Sequence, residues 1–372
     1  MKVLHLYSGN LFGGIERCLI TFAKLQFHTP DVEHHFGLCF PGKLRDELVS
    51  CGAIVHDFGA VRISRPWTVW AARRRLKMLH AKKPFDVCIT HAGWSHWVFA
   101  RAAKSLGLPI AHYVHDDLTN LGWLYRWAKR IPPRRVIANS QFTAGTVRRI
   151  FPTVPCDVLA CPVEDRSEPN REATRAAIRA ELHTPANAVV ILQASRLERM
   201  KGQAVHIEAL GKICAVPGWV AWFVGGPQKA GEQEFLCELQ QRARALGISD
   251  RVRFLEQRDD IPKLMAAADV LCQPNTRSES FGIVFIEALY SGLPIVTSDI
   301  GGGAEIVDEF CGVRLPPNDA DALAACLKAF IELPDKLAGY DSIGSNRAKE
   351  LCDPLQQFIG LRKILSAAIG KK

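Results

Sequence analysis

Residues 278–288 read SESFGIVFIEA and place two carboxylates, Glu279 and Glu287, eight positions apart around a turn from strand to helix. The residues just before them, 270–273, have the apolar character of a buried strand, and residues 281–289 carry apolar side chains at helical spacing. We therefore expect Glu279 in the loop at the mouth of a helix and Glu287 about two turns inside it. Since the first turn of a helix suits anions, the stretch offers donors for phosphate and two acceptors for hydroxyl groups.

Short β-rich runs alternate with helical patterns along the whole chain, whose 372 residues suffice for two domains. This alternation predicts an α/β protein with two Rossmann-like, doubly wound parallel sheets covered by helices, and residues 161–171 are the expected linker. The predicted strands are residues 3–7, 35–40, 86–90, 110–114, 135–138, 189–194, 220–224, 252–255, 270–273 and 295–297.

Ligands of open parallel sheets bind beyond the carboxyl ends of the strands. Several glycines, one arginine and two histidines of this chain lie after predicted strands, so we expect them at such ends. They are Gly13, Gly14, His91, His115, Arg196 and Gly225, with His91 the weaker of the two histidine candidates.

The segment around the two glutamates resembles the E-x7-E signature of retaining glycosyltransferases with the GT-B fold, most closely those of glycosyltransferase family 4. Three further segments resemble motifs of that family in the expected order, and together the four span nearly the whole chain. They are Gly13-Gly14 for the N-terminal glycine loop, residues 194–197 with Lys201-Gly202 for S-R-L…K-G, and Gly301-Gly302 with Glu305 for G-G-x-x-E.

The resemblance implies a hexosyltransferase with an acceptor-binding domain in residues 1–165 and a nucleotide-sugar-binding domain in residues 171–353. The C-terminal helix, about residues 354–372, would cross back to the first domain. The implied catalytic residues are Arg196 and Lys201 on the diphosphate, Glu279 on the donor sugar and His115 beside the donor hexose. The implied donor-binding residues are Gly13, Gly14, Gly225, Phe281, Gly282, Ile283 and Glu287, the last on the ribose.

The chemistry of these side chains fits such roles. A guanidinium holds two phosphate oxygens and an ammonium adds a compact charge, so Arg196 and Lys201 would stabilise the negative charge on a departing phosphate. Simpler interpretations stay open: a solvated basic turn, a carboxylate at Glu279 that favours the helix N-terminus, and a capping or core histidine at position 115.

The spacing His112-x2-His115 could suggest a metal site, but no cysteine or further histidine completes a set of zinc ligands. The resemblance implies a metal-independent enzyme without an obligatory cofactor. It also implies retention of anomeric configuration by front-face attack, in which the departing phosphate takes the acceptor proton. A UDP-sugar is the favoured donor, although no residue of the expected base-binding loop, 256–261, distinguishes uracil from a purine.

A net charge of +9 is concentrated in the first half of the chain. Residues 62–83 and 121–150 contain eight and seven Lys or Arg side chains and no acidic residue. Basic side chains beside aromatic ones suit an anionic membrane surface or a glycolipid, lipid-linked or polysaccharide acceptor, whereas tryptophans at helical spacing also occur in cores. A small soluble acceptor, or a nucleic-acid- or membrane-binding module with an inactive donor site, are the alternatives. The tryptophans in or beside these runs are Trp67, Trp70, Trp94, Trp97, Trp123 and Trp127.

No apolar run approaches the length of a membrane span, and the first residues fit a strand better than a signal peptide. Twelve scattered cysteines without a C-x-x-C pair indicate free thiols in a reducing cytosol, and we expect Cys88, Cys214, Cys272 and Cys326 to be buried. We therefore expect a cytoplasmic protein that associates peripherally with the inner face of the cell membrane and binds no nucleic acid.

Overall fold

The computed structural model of the chain describes residues 1–10, 12–118, 123–333 and 341–370. It divides into two compact units, the first formed by residues 1–164 and 352–372 and the second by residues 165–351. The last two residues of the predicted 354–372 segment lie outside the described part.

The first unit contains a seven-stranded sheet in the order β3-β2-β1-β4-β5-β6-β7, in which all neighbouring strands run parallel. Its strands are β1 (Lys2–Tyr7), β2 (Glu33–Leu38), β3 (Ile54–Asp57), β4 (Val87–His91), β5 (Ile110–Val114), β6 (Arg135–Ala138) and β7 (Cys156–Val158). Its helices are α1 (Gly14–Lys24), α2 (Lys43–Ser50), α3 (Pro66–Lys82), α4 (Ala92–Ser105), α5 (Trp123–Ala128), α6 (Gln141–Val147) and the late helix α15 (Pro354–Ile369).

The second unit contains a six-stranded parallel sheet in the order β10-β9-β8-β11-β12-β13. Its strands are β8 (Val189–Ala194), β9 (Trp219–Val224), β10 (Val252–Leu255), β11 (Val270–Gln273), β12 (Ile295–Ser298) and β13 (Gly312–Leu315). Its helices are α7 (Arg171–Glu181), α8 (Gln203–Lys212), α9 (Glu232–Ala245), α10 (Ile261–Ala267), α11 (Ile283–Tyr290), α12 (Gly303–Ile306), α13 (Ala320–Glu332) and α14 (Asp341–Cys352).

Both sheets have the strand order of doubly wound α/β folds, with the earliest strand third from one edge. The order of connection therefore reverses between β1 and β4 in the first unit and between β8 and β11 in the second, and these switch points are where such sheets bind ligands. The prediction of two doubly wound parallel sheets is confirmed.

The two faces of the first sheet have different coverings. On one face, Leu4 and Leu6 of β1 share a buried cluster with Val69 of α3 and Phe99 of α4. On the other face, Phe22 of α1 packs edge-on against Phe358 of α15, with ring centroids 5.2 Å apart. Helix α15 is therefore part of the first unit's core, and on the surface its exposed Arg362 pairs with Asp31 at 2.7 Å.

Three strands were absent from the sequence prediction, namely β3, β7 and β13, and each lies at an edge of its sheet. An edge strand has one open side, so it lacks a continuous apolar run: Ile54 of β3 and Val158 of β7 are exposed.

The cysteine prediction is partly wrong. All twelve thiols are free, and Cys88 and Cys272 are buried as expected. Cys214, however, is exposed, because it follows the last turn of α8 and lies past the buried face of that helix, and Cys326 is only half-buried. In the described part of the chain, no helix is long and apolar enough to cross a membrane.

Candidate functional site

A tight backbone contact holds the loop that carries Lys201 against the end of β11. It ends a short 3-10 turn, Arg199–Lys201, and the next residue, Gly202, has φ 76° in the left-handed region. A Cβ atom on Gly202 would lie 1.8 Å from the carbonyl oxygen of Pro274, which directly follows β11. The Lys-Gly pair therefore lets the loop after β8 approach the end of β11, where a side chain at position 202 would prevent it.

Glu279 forms an ion pair with Lys201, and both side chains are largely buried, with 11% of Lys201 and 16% of Glu279 exposed. The carboxylate also accepts hydrogen bonds from Asn275 Nδ2 at 2.9 Å and Gln273 Nε2 at 3.2 Å. Burial alone would raise the pKa of Glu279, but the charge of Lys201 and hydrogen bonds from Lys201 and Asn275 hold that pKa below its usual value. Glu279 is therefore ionised and held in a fixed position.

A buried amide and a buried imidazole support the Lys201 backbone. Gln193 at the end of β8 donates from Nε2 to the carbonyl oxygen of Lys201 at 2.7 Å, and its Oε1 lies 2.9 Å from Nδ1 of His206. Burial lowers the pKa of His206 to about 3, so the ring is neutral near pH 7. Because the amide oxygen only accepts, the proton of His206 is on Nδ1.

Arg196, two residues past β8, is paired with Glu198 at 3.0 Å and is about one third exposed. Glu198 also receives Lys229, from the loop after β9, at 3.3 Å. The amide of Gln203 donates to the carbonyl oxygen of Arg196 at 2.9 Å and so holds the backbone of this loop. The carboxylate of Glu198 thus pairs with two cations, Arg196 and Lys229, at the carboxyl ends of the neighbouring strands β8 and β9.

Helix α11 begins at Ile283, with Gly282 as its N-cap residue and Phe281 buried beside it. Glu287 is therefore the fifth residue of the helix, about one turn inside and not two as we predicted from the eight-residue spacing. The difference arises because residues 279–282 form the loop and contribute no helical turn. Glu287 is half-buried.

The Gly301-Gly302 pair fixes the backbone of Glu279. The N–H of Gly302 donates to the carbonyl oxygen of Glu279 at 2.7 Å. Gly301 has φ 68°, and a Cβ atom there would lie 2.5 Å from the same oxygen. The loop after β12 therefore packs directly on the loop after β11, and this contact needs glycine.

The second unit brings Arg196, Lys201, Gly225, Glu279 and Gly282 to the loops that follow β8, β9 and β11. The other predicted residues, Gly13, Gly14 and His115, belong to the first unit. Gly13 is the N-cap residue of α1 with φ −171°, an extended conformation that any residue adopts, and Gly14 is the first residue of that helix.

His115 directly follows β5 and is buried. Its Nε2 lies 3.1 Å from Nδ1 of His91, the last residue of β4, and its Nδ1 lies 4.0 Å from Sγ of Cys161. Both ring nitrogens thus face protein groups.

Sequence reasoning did not find the residues that hold the site together, among them Gln193, Gln273, Asn275 and Glu198. The available indication was that Gln193 and Gln273 interrupt apolar strands near their carboxyl ends, where a buried amide needs a partner. No group of three His, Cys, Asp or Glu that could hold a metal ion occurs among the described residues.

Comparison with known proteins identifies the family. The profile for Glycosyltransferase Family 4 matches residues 12–166, and that for Glycosyl transferases group 1 matches residues 174–347. Phosphatidyl-myo-inositol mannosyltransferase of Mycolicibacterium smegmatis is 36% identical over 354 residues, which cover 92% of this chain and 87% of that protein. The chain belongs to glycosyltransferase family 4.

Two further comparisons place this family-4 chain among its relatives. D-inositol 3-phosphate glycosyltransferase of Saccharomonospora viridis is 34% identical over 51% of the chain, and the match spans less than half, 46%, of that relative's length. The crystal structure of HepE from Anabaena in complex with UDP and glucose superposes with a TM-score of 0.86 at 28% identity, over 98% of this chain and 99% of that one. The predicted GT-B fold is therefore confirmed.

Proposed function

We propose that this family-4 chain is a retaining, metal-independent hexosyltransferase that transfers the sugar of a nucleotide-diphosphate donor to a membrane-borne acceptor. The observation that carries the proposal is the buried pair of Lys201 and Glu279, with Arg196 nearby, at the switch point between β8 and β11. Doubly wound sheets bind nucleotides at this place.

The charges of the second unit suit a sugar diphosphate. Breaking the bond between the sugar and the diphosphate builds negative charge on the leaving group, and Lys201 and Arg196 would stabilise that charge. Both cations already have carboxylate partners, Glu279 and Glu198, so their side chains are held in place before a donor arrives. Fixed cations need little reorganisation during the reaction.

A UDP-sugar is the donor that we propose. HepE, at 28% identity over nearly the whole chain, has been crystallised with UDP and glucose, and also with UDP-glucose. In our proposal, residues 281–283 at the mouth of α11 contact the phosphate or sugar, Glu287 binds the ribose, and Gly225, Gly13 and Gly14 lie along the diphosphate. His115 lies beside the donor hexose.

The proposal of a membrane-borne acceptor rests on a group of exposed aromatic side chains in the first unit, which we call the tryptophan face. Trp67 and Trp70 of α3 and Trp123 and Trp127 of α5 are all at least half exposed. Exposed tryptophans beside cations are typical of surfaces that lie in a lipid interface. The relative that is 36% identical is named as a mannosyltransferase of phosphatidyl-myo-inositol, which is a lipid.

The helices that carry the tryptophan face are joined through α4. Arg73 of α3 donates to the carbonyl oxygens of Val98 and Trp97 at 2.7 and 3.1 Å, and the ring of Trp97 lies edge-on to Trp123, 5.9 Å away. Arg73 is therefore a structural link between helices, whereas Arg74, exposed over the ring of Trp70 at 5.6 Å, is available to anionic head groups.

The proposal is tested by incubating the protein with UDP-hexoses and a membrane extract, then assigning the anomeric configuration of the new linkage by NMR. We expect transfer from an α-linked donor to give an α-linked product, with activity unchanged by EDTA. A β-linked product, or loss of turnover in EDTA that Mg²⁺ restores, would overturn the retaining, metal-independent mechanism. Transfer to a soluble sugar in preference to lipid would replace the membrane-borne acceptor with a soluble one.

A further inference from the structure

A row of four buried histidines crosses the sheet of the first unit. Nδ1 of His34 lies 2.9 Å from Nε2 of His5, and Nδ1 of His5 lies 3.0 Å from Nε2 of His91. Nδ1 of His91 in turn lies 3.1 Å from Nε2 of His115. The four residues come from or directly follow β2, β1, β4 and β5, which are adjacent in the sheet, and we call them the histidine row.

Three rings of the histidine row, those of His34, His5 and His91, are neutral near pH 7. Burial, followed by the neighbouring histidines, lowers the pKa of His5 and of His91 well below the usual value, and burial lowers that of His34 to about 4. A neutral imidazole carries one proton and can donate at one nitrogen only. A ring in the middle of the row must therefore accept at one nitrogen and donate at the other.

With one proton in each of the three contacts, this restriction couples them, so the row has only two arrangements of protons. Either every ring donates toward His115, or every ring donates toward His34. Nε2 of His34 is buried, and no hydrogen-bond partner for it exists among the described residues. Donation toward His115 leaves a lone pair at that atom, whereas the reverse leaves a buried N–H, and orphaned buried N–H groups are rare.

The far end of the row agrees with donation toward His115. Nδ1 of His115 lies 4.0 Å from Sγ of Cys161. A hydrogen bond from Cys18 lowers the pKa of the Cys161 thiol, although burial opposes the shift. A sulfur of this kind is a good acceptor for an N–H group.

We propose that His91 is a positioning residue for His115. It donates to Nε2 of His115 and so holds that ring in one orientation with its proton on Nδ1, while His5 and His34 fix the tautomer of His91. Its effect on catalysis rests on the proposed function, in which His115 lies beside the donor hexose. Because both ring nitrogens face protein groups, His115 provides a fixed surface that needs no rearrangement when the donor binds.

The test begins with the protein alone, labelled with ¹⁵N-histidine at pH 7, so that it does not depend on any activity. The His115 signals are assigned from their absence in His115→Gln. We expect Nδ1 to be protonated and Nε2 not. His91→Phe keeps a ring but removes the donor and should give a mixture of His115 tautomers. His91→Asn places an amide near the former Nδ1 and should restore a single set of signals.

Kinetics of the same variants separate positioning from folding. We expect His91→Phe to lower kcat about 10-fold with less than about a 3-fold change in the donor KM, and His91→Asn to recover most of the loss. His35→Phe is the matched control, since His35 is buried on the same strand as His34 but points to the opposite face, where it contacts His56 at 2.9 Å. It should leave the His115 signals and kcat as in the unaltered protein.

Each outcome decides a separate point. Protonation of His115 on Nε2 or on both nitrogens, or unchanged His115 signals in His91→Phe, would overturn the proposal. If His91→Phe does not fold, His91→Gln replaces it, because the longer amide reaches the former Nε2 and contacts His5 but not His115; normal His115 signals in His91→Gln would then overturn the proposal. An unaltered protein that shows the expected tautomer but transfers no sugar would instead refute the proposed function.

Discussion

At the residue scale, the pair of Lys201 and Glu279 combines two opposite requirements. Both side chains are largely buried, so each charge would be costly without the other. Asn275 and Gln273 satisfy further positions on the carboxylate, which makes the pair a fixed feature of the second unit. A donor diphosphate would therefore meet a lysine whose position is already set.

Lys201→Met should harm both stability and activity. It leaves the Glu279 carboxylate buried without its counter-charge, so we expect a loss of about 3 kcal/mol in the free energy of unfolding. Adding Glu279→Gln to the same chain should recover part of this loss, which urea unfolding of the two variants measures. Equal stability of the single and double variants would show that the unpaired Glu279 carboxylate is not what destabilises Lys201→Met.

The proposed diphosphate clamp, formed by Arg196 and Lys201, is tested by turnover. We expect Arg196→Ala and Lys201→Ala each to lower kcat/KM by roughly 10² or more, mainly through kcat, because their contacts strengthen as the phosphate leaves. Arg244→Ala, an exposed arginine of α9 in the same unit, is the control. Near-normal turnover in both clamp variants would reject this assignment of the donor site.

Gly202 and Gly218 form a matched pair for testing the contact that brings Lys201 into place. Both have left-handed backbones, with φ 76° and 81°. A Cβ atom would collide with Pro274 at position 202, whereas nothing lies within 4 Å at position 218. We expect Gly218→Ala to cost only about 1 kcal/mol from the backbone and to keep activity, and Gly202→Ala to cost more and abolish turnover. Thermal unfolding and initial rates measure both effects, and equal behaviour of the two variants would contradict the role given to Gly202.

The charged residues of the candidate site were easier to predict from the sequence than the residues that hold them in place. Arg196, Lys201 and Glu279 could be placed because each follows a strand at a recognisable spacing. The hydrogen bonds of Gln273, Asn275 and Gln193 depend on rotamers, which spacing does not determine. The histidine row was unpredictable for another reason, since His5 lies 86 residues from His91 along the chain and meets it only through strand order.

At the scale of elements, strand burial decided which strands were predictable. Central strands such as β8 and β11 are buried throughout and give continuous apolar runs. The missed strands β3, β7 and β13 are edges, whose residues are partly exposed, so their sequences resemble loops.

The prediction that the protein binds anionic membranes concerns helix α3. Its Trp67 and Trp70 are 65% and 62% exposed, and Arg74 and Lys77 are exposed on the same helix. We expect the protein to sediment with anionic vesicles but not zwitterionic ones, and binding to weaken with salt. Trp67→Ser with Trp70→Ser, or Arg74→Glu with Lys77→Glu, should reduce binding at least several-fold, whereas Arg73 must be kept because it links α3 to α4.

The control for this experiment makes the same change in net charge elsewhere. Arg244→Glu with Lys349→Glu alters two exposed cations of the second unit, whose described tryptophans, Trp219 and Trp222, are buried. An equal loss of binding in that variant would indicate a general charge effect. Equal binding to both kinds of vesicle would remove the membrane surface from the proposal.

At the scale of the whole molecule, buried histidines are distributed unequally. Among the described residues, burial lowers the pKa of seven histidines of the first unit and of one, His206, in the second. The seven are His5, His34, His35, His56, His91, His96 and His112.

Acid should therefore unfold the first unit before the second. A histidine whose pKa is lowered by folding binds more protons when unfolded, so its stabilising contribution is complete above about pH 6.5 and is lost as pH falls toward the folded pKa. Each histidine that takes up a proton on unfolding contributes up to about 1.4 kcal/mol per pH unit. Hydrogen-exchange pulses after incubation between pH 7 and 4 should label the first unit at the higher pH. Earlier labelling of the second unit would contradict this order.

Helix α15 gives the two units a particular order of folding during synthesis. Residues 165–351 form the second unit without interruption, so this unit can fold as soon as it leaves the ribosome. The first 164 residues must wait for residues 354–369, because Phe358 packs on Phe22 and His34. At usual elongation rates this delay is roughly 10–40 s. During that time an apolar face of the earliest part of the chain stays open to chaperones and proteases, although it was made first.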